Sequence, residues 1–324
     1  MLELFALLSA FSFAITTVCM PFLIRKLKAA GITGKDVNKK DTPEVAEMGG
    51  LGIIMGAMGA LLLSIALYTF FGIQFKLIQV LAAMLTLMII ALIGTYDDLF
   101  EMRQAIKAML PMAAALPLVA VSAAGSTEIS IPLVGSVDFG YVYIVVLIPL
   151  GVTVASNLTN MLGGFNGMEA GMGSIMFATI LVLALAKGEV EMGMIAAAML
   201  GSLLAFLRFN WYPAQVFGGD IGNLSIGAAL AAAVIIGNLE SAGAILVIPH
   251  VVDFFIKAYN GFPSKNWWGK LQEDGKLYPL EGKVRGAAQL IMKLLGGVSE
   301  QELVLIFLAA QLLCAIAALV LLLR

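Results

Sequence analysis

Long apolar stretches separated by short polar ones run the whole length of the chain. A helix needs about 20 mainly apolar residues to cross a bilayer. Ten segments approach that length: Leu2 to Ile24, Met48 to Phe71, Leu77 to Gly94, Ala108 to Ala124, Tyr141 to Ser156, Ala170 to Ala186, Met192 to Leu207, Gly222 to Gly237, Ala242 to Tyr259, and Leu303 to Leu323. Several are short, which implies tilt or burial among neighbours. The first lacks a basic leader and a small-residue cleavage site, and Arg25, Lys26 and Lys28 follow it. It reads as a first transmembrane helix, not a signal peptide. Between the fourth and fifth segments, Gly125 to Gly140 alternates at Ile129, Ile131 and Val137, which predicts a small β-hairpin. The expected fold is all-α integral membrane, one polytopic domain over residues 1–324. It has about ten transmembrane helices, active-site loops on one side and the hairpin on the other.

Composition agrees: 61% of residues are hydrophobic and 12% charged, against about 25% charged in a soluble domain. The net charge of −2 says less than its distribution. With ten alternating spans, every Lys and Arg except Lys76, Lys187 and Arg324 falls on one set of connections or at its helix ends. That asymmetry places the loops at 25–47, 95–107, 157–169, 208–221 and 260–302 in the cytoplasm and both termini outside. Cys19 and Cys314 lie in apolar segments without a CxxC or a nearby His, so they read as packing residues, not as a disulfide or zinc site. The partner expected from composition is the bilayer. No nucleic acid is expected.

Three polar stretches break the pattern, all on the cytoplasmic side. Thr95-Tyr96-Asp97-Asp98-Leu99 ends the third span, with Arg103 and Lys107 following. Neighbouring helical residues point about 100° apart, so both carboxylates cannot face one ligand. One could act on a substrate while the other holds basic groups; the plainer alternative is a helix-end cluster pairing with Arg103 or Lys107. In the stretch from Ser156 to Gly167, Asn157 and Asn160 share a helix face at i and i+3, beside a Gly-rich turn. An Asn offers an oxygen to a hard cation or an amide to a nucleobase edge, although interhelical hydrogen bonding is the commoner use in membranes. In Val216-Phe217-Gly218-Gly219-Asp220-Ile221-Gly222-Asn223, Asp220 is either the N-cap of the next helix or a ligand. With Asn160 it could hold Mg²⁺, which takes one or two protein oxygens and fills its shell with water and phosphate oxygens.

The runs DDLFEMRQAIK at 97–107, NLTNMLGGFNGMEAG at 157–171 and NWYPAQVFGGDIGN at 210–223, in that order, resemble the polyprenyl-phosphate N-acetylhexosamine-1-phosphate transferases. Within that superfamily they are most similar to the dolichyl-phosphate N-acetylglucosamine-1-phosphotransferase branch, in an archaeal form. The resemblance covers nearly the whole chain. It implies transfer of a sugar-1-phosphate, N-acetylglucosamine-1-phosphate first among them, from a UDP-sugar to a polyprenyl or dolichyl phosphate, with release of UMP. It further implies that Asn160 and Asp220 hold Mg²⁺ (Mn²⁺ as a substitute) and that Lys107 binds the lipid phosphate. By the same resemblance Asn157 and Asn166 would contact the nucleotide sugar, Asn166 on the uracil side, and Asp97 and Asp98 correspond to the family's acidic pair. In the first loop, Glu44 is the residue aligned with a uridine contact. A phosphate monoester is largely dianionic at neutral pH, so the carboxylates are expected to orient Lys107 and the metal shell, with base catalysis second.

The chain departs from the family in its last cytoplasmic loop, where relatives carry an Arg- and His-rich motif. Here Gly261 to Trp268 has no His and one basic residue, so Lys265 and Asn266 are the natural substitutes and the sugar is left open. The only His, His250, follows Pro249 in the ninth span and reads as a packing residue. The stretches Leu271 to Glu281 and Arg285 to Leu295 suggest a small lid. Gly and Ala in the spans would permit a homodimer face. Two other readings remain: the same chemistry on another UDP-N-acetylhexosamine or a bacterial-type undecaprenyl acceptor, and a secondary transporter. Transporters concentrate polar residues near the midplane in two repeated halves, which this chain does not display.

Overall fold

A computed structural model describes residues 1–100, 102–121, 125–131, 134–262 and 268–323. In chain order the elements begin α1 (Leu2–Ala29), β1 (Thr33–Lys35), β2 (Glu44–Ala46), α2 (Gly50–Phe71), α3 (Leu77–Phe100), α4 (Gln104–Met109), α5 (Pro111–Ala114) and α6 (Leu116–Ala120). Next come β3 (Glu128–Ile131), β4 (Gly135–Asp138) and a π-helical turn (Tyr143–Leu147) that leads into α7 (Ile148–Met161). Then follow α8 (Met168–Lys187), α9 (Val190–Asn210), α10 (Gly219–Ile236), α11 (Glu240–Leu246), α12 (Ile248–Tyr259), β5 (Gly269–Leu271), β6 (Leu277–Pro279), α13 (Ala287–Leu294) and α14 (Glu300–Leu322).

Among the described residues, eight helices are long and apolar enough to cross a membrane, and α11 with α12 makes a ninth span bent by 57°. The expected tenth, Ala108 to Ala124, is instead the broken series α4–α6, apolar over Gln104–Ala120. Pro111 and Pro117 sit in the first turns of α5 and α6. Lacking an N–H, each starts a helix more readily than it continues one. Pro249 does the same at the start of α12, and buried Gln311 of α14 donates to the Leu246 carbonyl at that break (3.0 Å).

The bundle is built around α10, buried at every position from Leu224 to Ile236. Lipid provides no hydrophobic drive between helices, so close packing of small residues has to hold them. A Cβ at Gly227 would lie 2.2 Å from the Ala155 carbonyl, which fixes how near α10 approaches α7. On the far side of the bundle, Ser9 and Ser12 of α1 donate to the Ala197 and Ala198 carbonyls of α9 at 2.9 and 2.6 Å. His250 is buried, and both cysteines are free and partly buried.

The predicted outer hairpin is present, with β3 and β4 antiparallel from Glu128↔Asp138 to Ile131↔Gly135. At the opposite end of the bundle the five polar loops are stitched together. Strands β1 and β2 form a hairpin (Thr33↔Ala46), and the chain bridges on from Ala46 to Val216. Gly49 N–H donates to the Phe217 carbonyl and Phe217 N–H to the Ala46 carbonyl, both at 2.8 Å. The suggested lid is the β5–β6 hairpin plus α13. It shares an apolar core with the 162–172 segment and α14, through Leu162, Phe165, Met168, Leu277, Met292 and Val304.

Candidate active site

Where the loops converge, the helix ends enclose a cavity of about 1220 Å³, larger than the roughly 300–1,000 Å³ usual for one small ligand. Its wall carries five carboxylates (Asp36, Glu47, Asp98, Glu169, Asp220) and three lysines (Lys35, Lys107, Lys257). One flank is apolar, with Val251, Phe254 and Phe255 of α12.

Lys107 is the hub. It follows Arg103 by one turn of α4, and its Nζ lies 2.5 Å from Asp97 Oδ2 and 2.5 Å from Asp220 Oδ2. Burial would lower its pKa, but the two carboxylates outweigh that and hold it above the usual lysine value, so it stays an ammonium. Asp97 is buried and lies outside the cavity wall; besides Lys107 it accepts from the Met102 N–H at 2.6 Å.

Asp98 turns the other way, as the 100° step between neighbours requires. Its Oδ1 accepts from the Asp220 N–H at 2.8 Å and its Oδ2 from the Ile221 N–H at 3.2 Å. Those donors open α10, which has no side-chain cap of its own, so a carboxylate from α3 caps it where the helix dipole favours an anion. The N-cap alternative for Asp220 is thereby excluded: its side chain serves Lys107. Gly219 has φ +68° and no room for a side chain, because a Cβ would lie 2.5 Å from Asp98 Oδ2. The GGD run is the geometry that lets α3 grip α10.

Asn157 and Asn160 line the cavity from the last turns of α7. Asn157 Nδ2 donates to the Thr153 carbonyl (2.8 Å) and the Ala108 carbonyl (3.0 Å), so its oxygen is the atom it can present. Thr159 Oγ1 donates to the Asn223 carbonyl (2.8 Å), tying this turn to the first turns of α10 beyond Asp220. Among the described residues no three His, Cys, Asp or Glu side chains converge on a cation.

The structure places two of the sequence-derived residues away from the cavity wall. Asn166 is buried and absent from the cavity wall. Its Nδ2 donates to Asp36 Oδ2 (3.1 Å) and its Oδ1 accepts from the Ala214 N–H (2.8 Å), so both ends of the amide are spent joining loops. Glu44 is exposed on β2 and also outside the wall. Two other acids of this loop, Asp36 and Glu47, line the cavity, and the pKa of Glu47 is raised by burial and by the nearby negative charge of Asp220. Lys265 and Asn266 lie outside the described residues. Sequence reasoning also passed over Lys257, although a charged Asp253 and Lys257 at i and i+4 in an apolar span is a signal in itself.

The glycosyl transferase family 4 model matches residues 80–238, which include Asp97, Asp98, Lys107, Asn160 and Asp220. A Saccharolobus solfataricus protein is 37% identical over 96% of this chain and 94% of its own length. A Sulfolobus acidocaldarius protein is 34% identical over 95% and 93%. Both carry the name of a candidate UDP-N-acetylglucosamine–dolichyl-phosphate N-acetylglucosaminephosphotransferase. The phospho-N-acetylmuramoyl-pentapeptide-transferase of Halalkalibacterium halodurans is 31% identical over 71% of this chain and 74% of its own. With likeness of that extent, and the motif residues gathered around one cavity, the chain belongs to the glycosyl transferase family 4, the polyprenyl-phosphate N-acetylhexosamine-1-phosphate transferases.

Proposed function

We propose that the protein transfers N-acetylglucosamine-1-phosphate from UDP-N-acetylglucosamine to a polyprenyl phosphate of the dolichyl type, releasing UMP, as the first membrane step of N-glycan or related glycan assembly. The cavity faces the cytoplasm, as the Lys and Arg asymmetry supports. The observation that carries the reading is Lys107, clamped by Asp97 and Asp220 at a cavity with an apolar flank: a cation for phosphate beside a surface for lipid.

An oxygen of the lipid phosphate attacks the β-phosphorus of the UDP-sugar. The bond from that phosphorus to the bridging oxygen breaks, and its electron pair leaves with UMP. The lipid phosphate is already largely dianionic, so no side chain has to take a proton from it. Lys107 offsets charge on the transferring phosphoryl oxygens, Asp97 aims Lys107, and Asp98 fixes α10 so that Asp220 stays beside it. The residues present fit Mg²⁺, with Mn²⁺ as a substitute: the carboxylates Glu47, Asp98 and Asp220 line the same cavity as Lys107 and Asn160. Asp220 and Asn160 would hold the ion and substrate oxygens would complete its shell. Bound there, the ion would screen the diphosphate charge.

The test is UMP release by purified protein in detergent with Mg²⁺, dolichyl or undecaprenyl phosphate and a panel of UDP-sugars, beside Asp220→Asn and an EDTA control. Lipid-dependent release with UDP-N-acetylglucosamine, lost in both controls, is expected. Preference for undecaprenyl phosphate with a muramoyl substrate would favour the alternative raised by the bacterial relative. No release from folded protein with any pair would overturn the reading.

A further inference from the structure

The proposed reaction brings a diphosphate and a lipid phosphate into one cavity, and on that reading the cations facing them can be accounted for one by one. Lys107 is engaged by Asp97 and Asp220. Lys35 is exposed at the rim, on β1. The 260–302 loop contributes only Phe262 and Trp268 to the wall, neither of them basic, among its described residues. That leaves Lys257, which is buried in the last turn of α12 and lines the same cavity.

Lys257 is placed by three elements at once. Its Nζ lies 2.7 Å from Asp253 Oδ2 one turn back on α12, and it donates to the carbonyl of Met161, the last residue of the helix that carries Asn157 and Asn160. Asp253 Oδ1 accepts from the Ala287 N–H (2.8 Å), which opens α13 of the lid. That cap does not need a charge: an Asn at 253 would accept the same bond. A buried ion pair adds little to stability over a neutral pair of the same shape, and charge in a membrane-spanning helix is retained where it has work to do. The break before α12 sends this helix off at 57° from α11, and Val251, Phe254 and Phe255 line the cavity within two turns before Lys257.

We infer that Lys257 is a second phosphate-binding cation of this site, supplied from a membrane helix. Its ligand is a phosphate oxygen, carried either by the nucleotide diphosphate or by the lipid phosphate. An ammonium is suited to this because it binds phosphate as a point charge without a fixed fork geometry.

The test is two-substrate steady-state kinetics on full-length protein, comparing wild type, Lys257→Met, Lys257→Arg and the double variant Asp253→Asn/Lys257→Met. In the double variant no unpaired buried charge remains, so fold and phosphate binding are separated. We expect Lys257→Met to raise the KM of one substrate about tenfold or more, the loss of one charge-assisted contact. Lys257→Arg should stay within about threefold, and the double variant should melt like wild type while keeping the raised KM. A rise for the UDP-sugar assigns the contact to the diphosphate; a rise for the lipid assigns it to the acceptor. Recovery of wild-type KM values in the double variant, or unchanged KM values with lost thermal stability in Lys257→Met, would overturn the inference. Absence of UMP release by wild type would instead sink the underlying reaction.

Discussion

Gly218 and Gly219 are adjacent and chemically identical, yet the structure gives them opposite tolerance for a methyl group. Gly218 has φ −62°, and a Cβ there would find its nearest atom, Asn223 Oδ1, at 3.3 Å. Gly219 has φ +68°, and a Cβ would lie 2.5 Å from Asp98 Oδ2 and 3.1 Å from Asp98 Cγ. Gly219→Ala therefore carries a left-handed backbone penalty of about 1 kcal/mol. It also displaces the carboxylate that accepts from Asp220 and Ile221, and losing one such charge-assisted bond costs about 1.5–3 kcal/mol. The sum, about 3 kcal/mol, corresponds to roughly a 100-fold loss if it falls on the placement of Asp220 against Lys107. UMP release at saturating substrates, with a melting curve in detergent, measures both parts. Gly219→Ala should lose about two decades of rate and melt lower, and Gly218→Ala should stay within about threefold. Equal behaviour of the two variants, or an active Gly219→Ala, would refute the cap geometry.

Three further outcomes follow from the contacts. Asp97→Asn should lower kcat about 10- to 100-fold with little change in either KM, because Asp97 aims Lys107 from outside the cavity; a KM effect alone would contradict that role. Asn166→Ala strands the Ala214 N–H and removes one partner of the Asp36 carboxylate, which keeps Lys39 and the Asn38 N–H, and should cost about 1–3 kcal/mol of stability, seen as a lower melting temperature with the KM for UDP-sugar within about threefold; a selective KM rise would restore Asn166 to the ligand. Glu47 has a folded pKa above its ordinary value of 4.5, so the folded state binds more protons there and stability falls as pH rises from that value through the folded pKa. Glu47→Gln should accordingly be more stable than wild type at neutral pH, with the difference vanishing below the ordinary carboxylate range; equal stability of the two at neutral pH would contradict it.

The long helices were legible because each carries its own signal: an apolar run of bilayer length needs no tertiary information. What hydropathy cannot register is a missing hydrogen bond. Pro111, Pro117 and Pro249 lie inside runs that remain apolar throughout, so the series α4–α6 and the break at α12 pass as intact spans until the backbone is traced. The same division holds in the loops. Asn157 and Asn160 could be placed together because helical spacing fixes which face they share. Glu44 and Glu47 lie in a short hairpin arm, and Asn166 in a Gly-rich turn, where direction is set by what the loop docks against. The arm containing Glu47 is aimed by pairing with residues some 170 positions away, through Ala46 and Val216.

The acidic pair shows how far a local rule reaches and where it stops. The 100° step between Asp97 and Asp98 dictates that they diverge, and no sequence signal says which one meets Lys107. The position of α10 decides it. Once α10 is packed on α3 through Gly94, where a Cβ would lie 2.6 Å from the Ile221 backbone, Asp98 is the residue beneath the helix start and Asp97 the one left for Lys107. Two covalently adjacent carboxylates then fix both members of the Lys107–Asp220 pair, one through its ammonium and the other through its backbone. The distance between Lys107, the proposed phosphate-binding cation, and the carboxylate proposed to hold the metal is thus set through a single peptide unit. Error in that distance is costly in the transition state, where charge is concentrated, and cheap in the bound substrates. Changes at 97, 98 and 219 should consequently appear in kcat before they appear in KM.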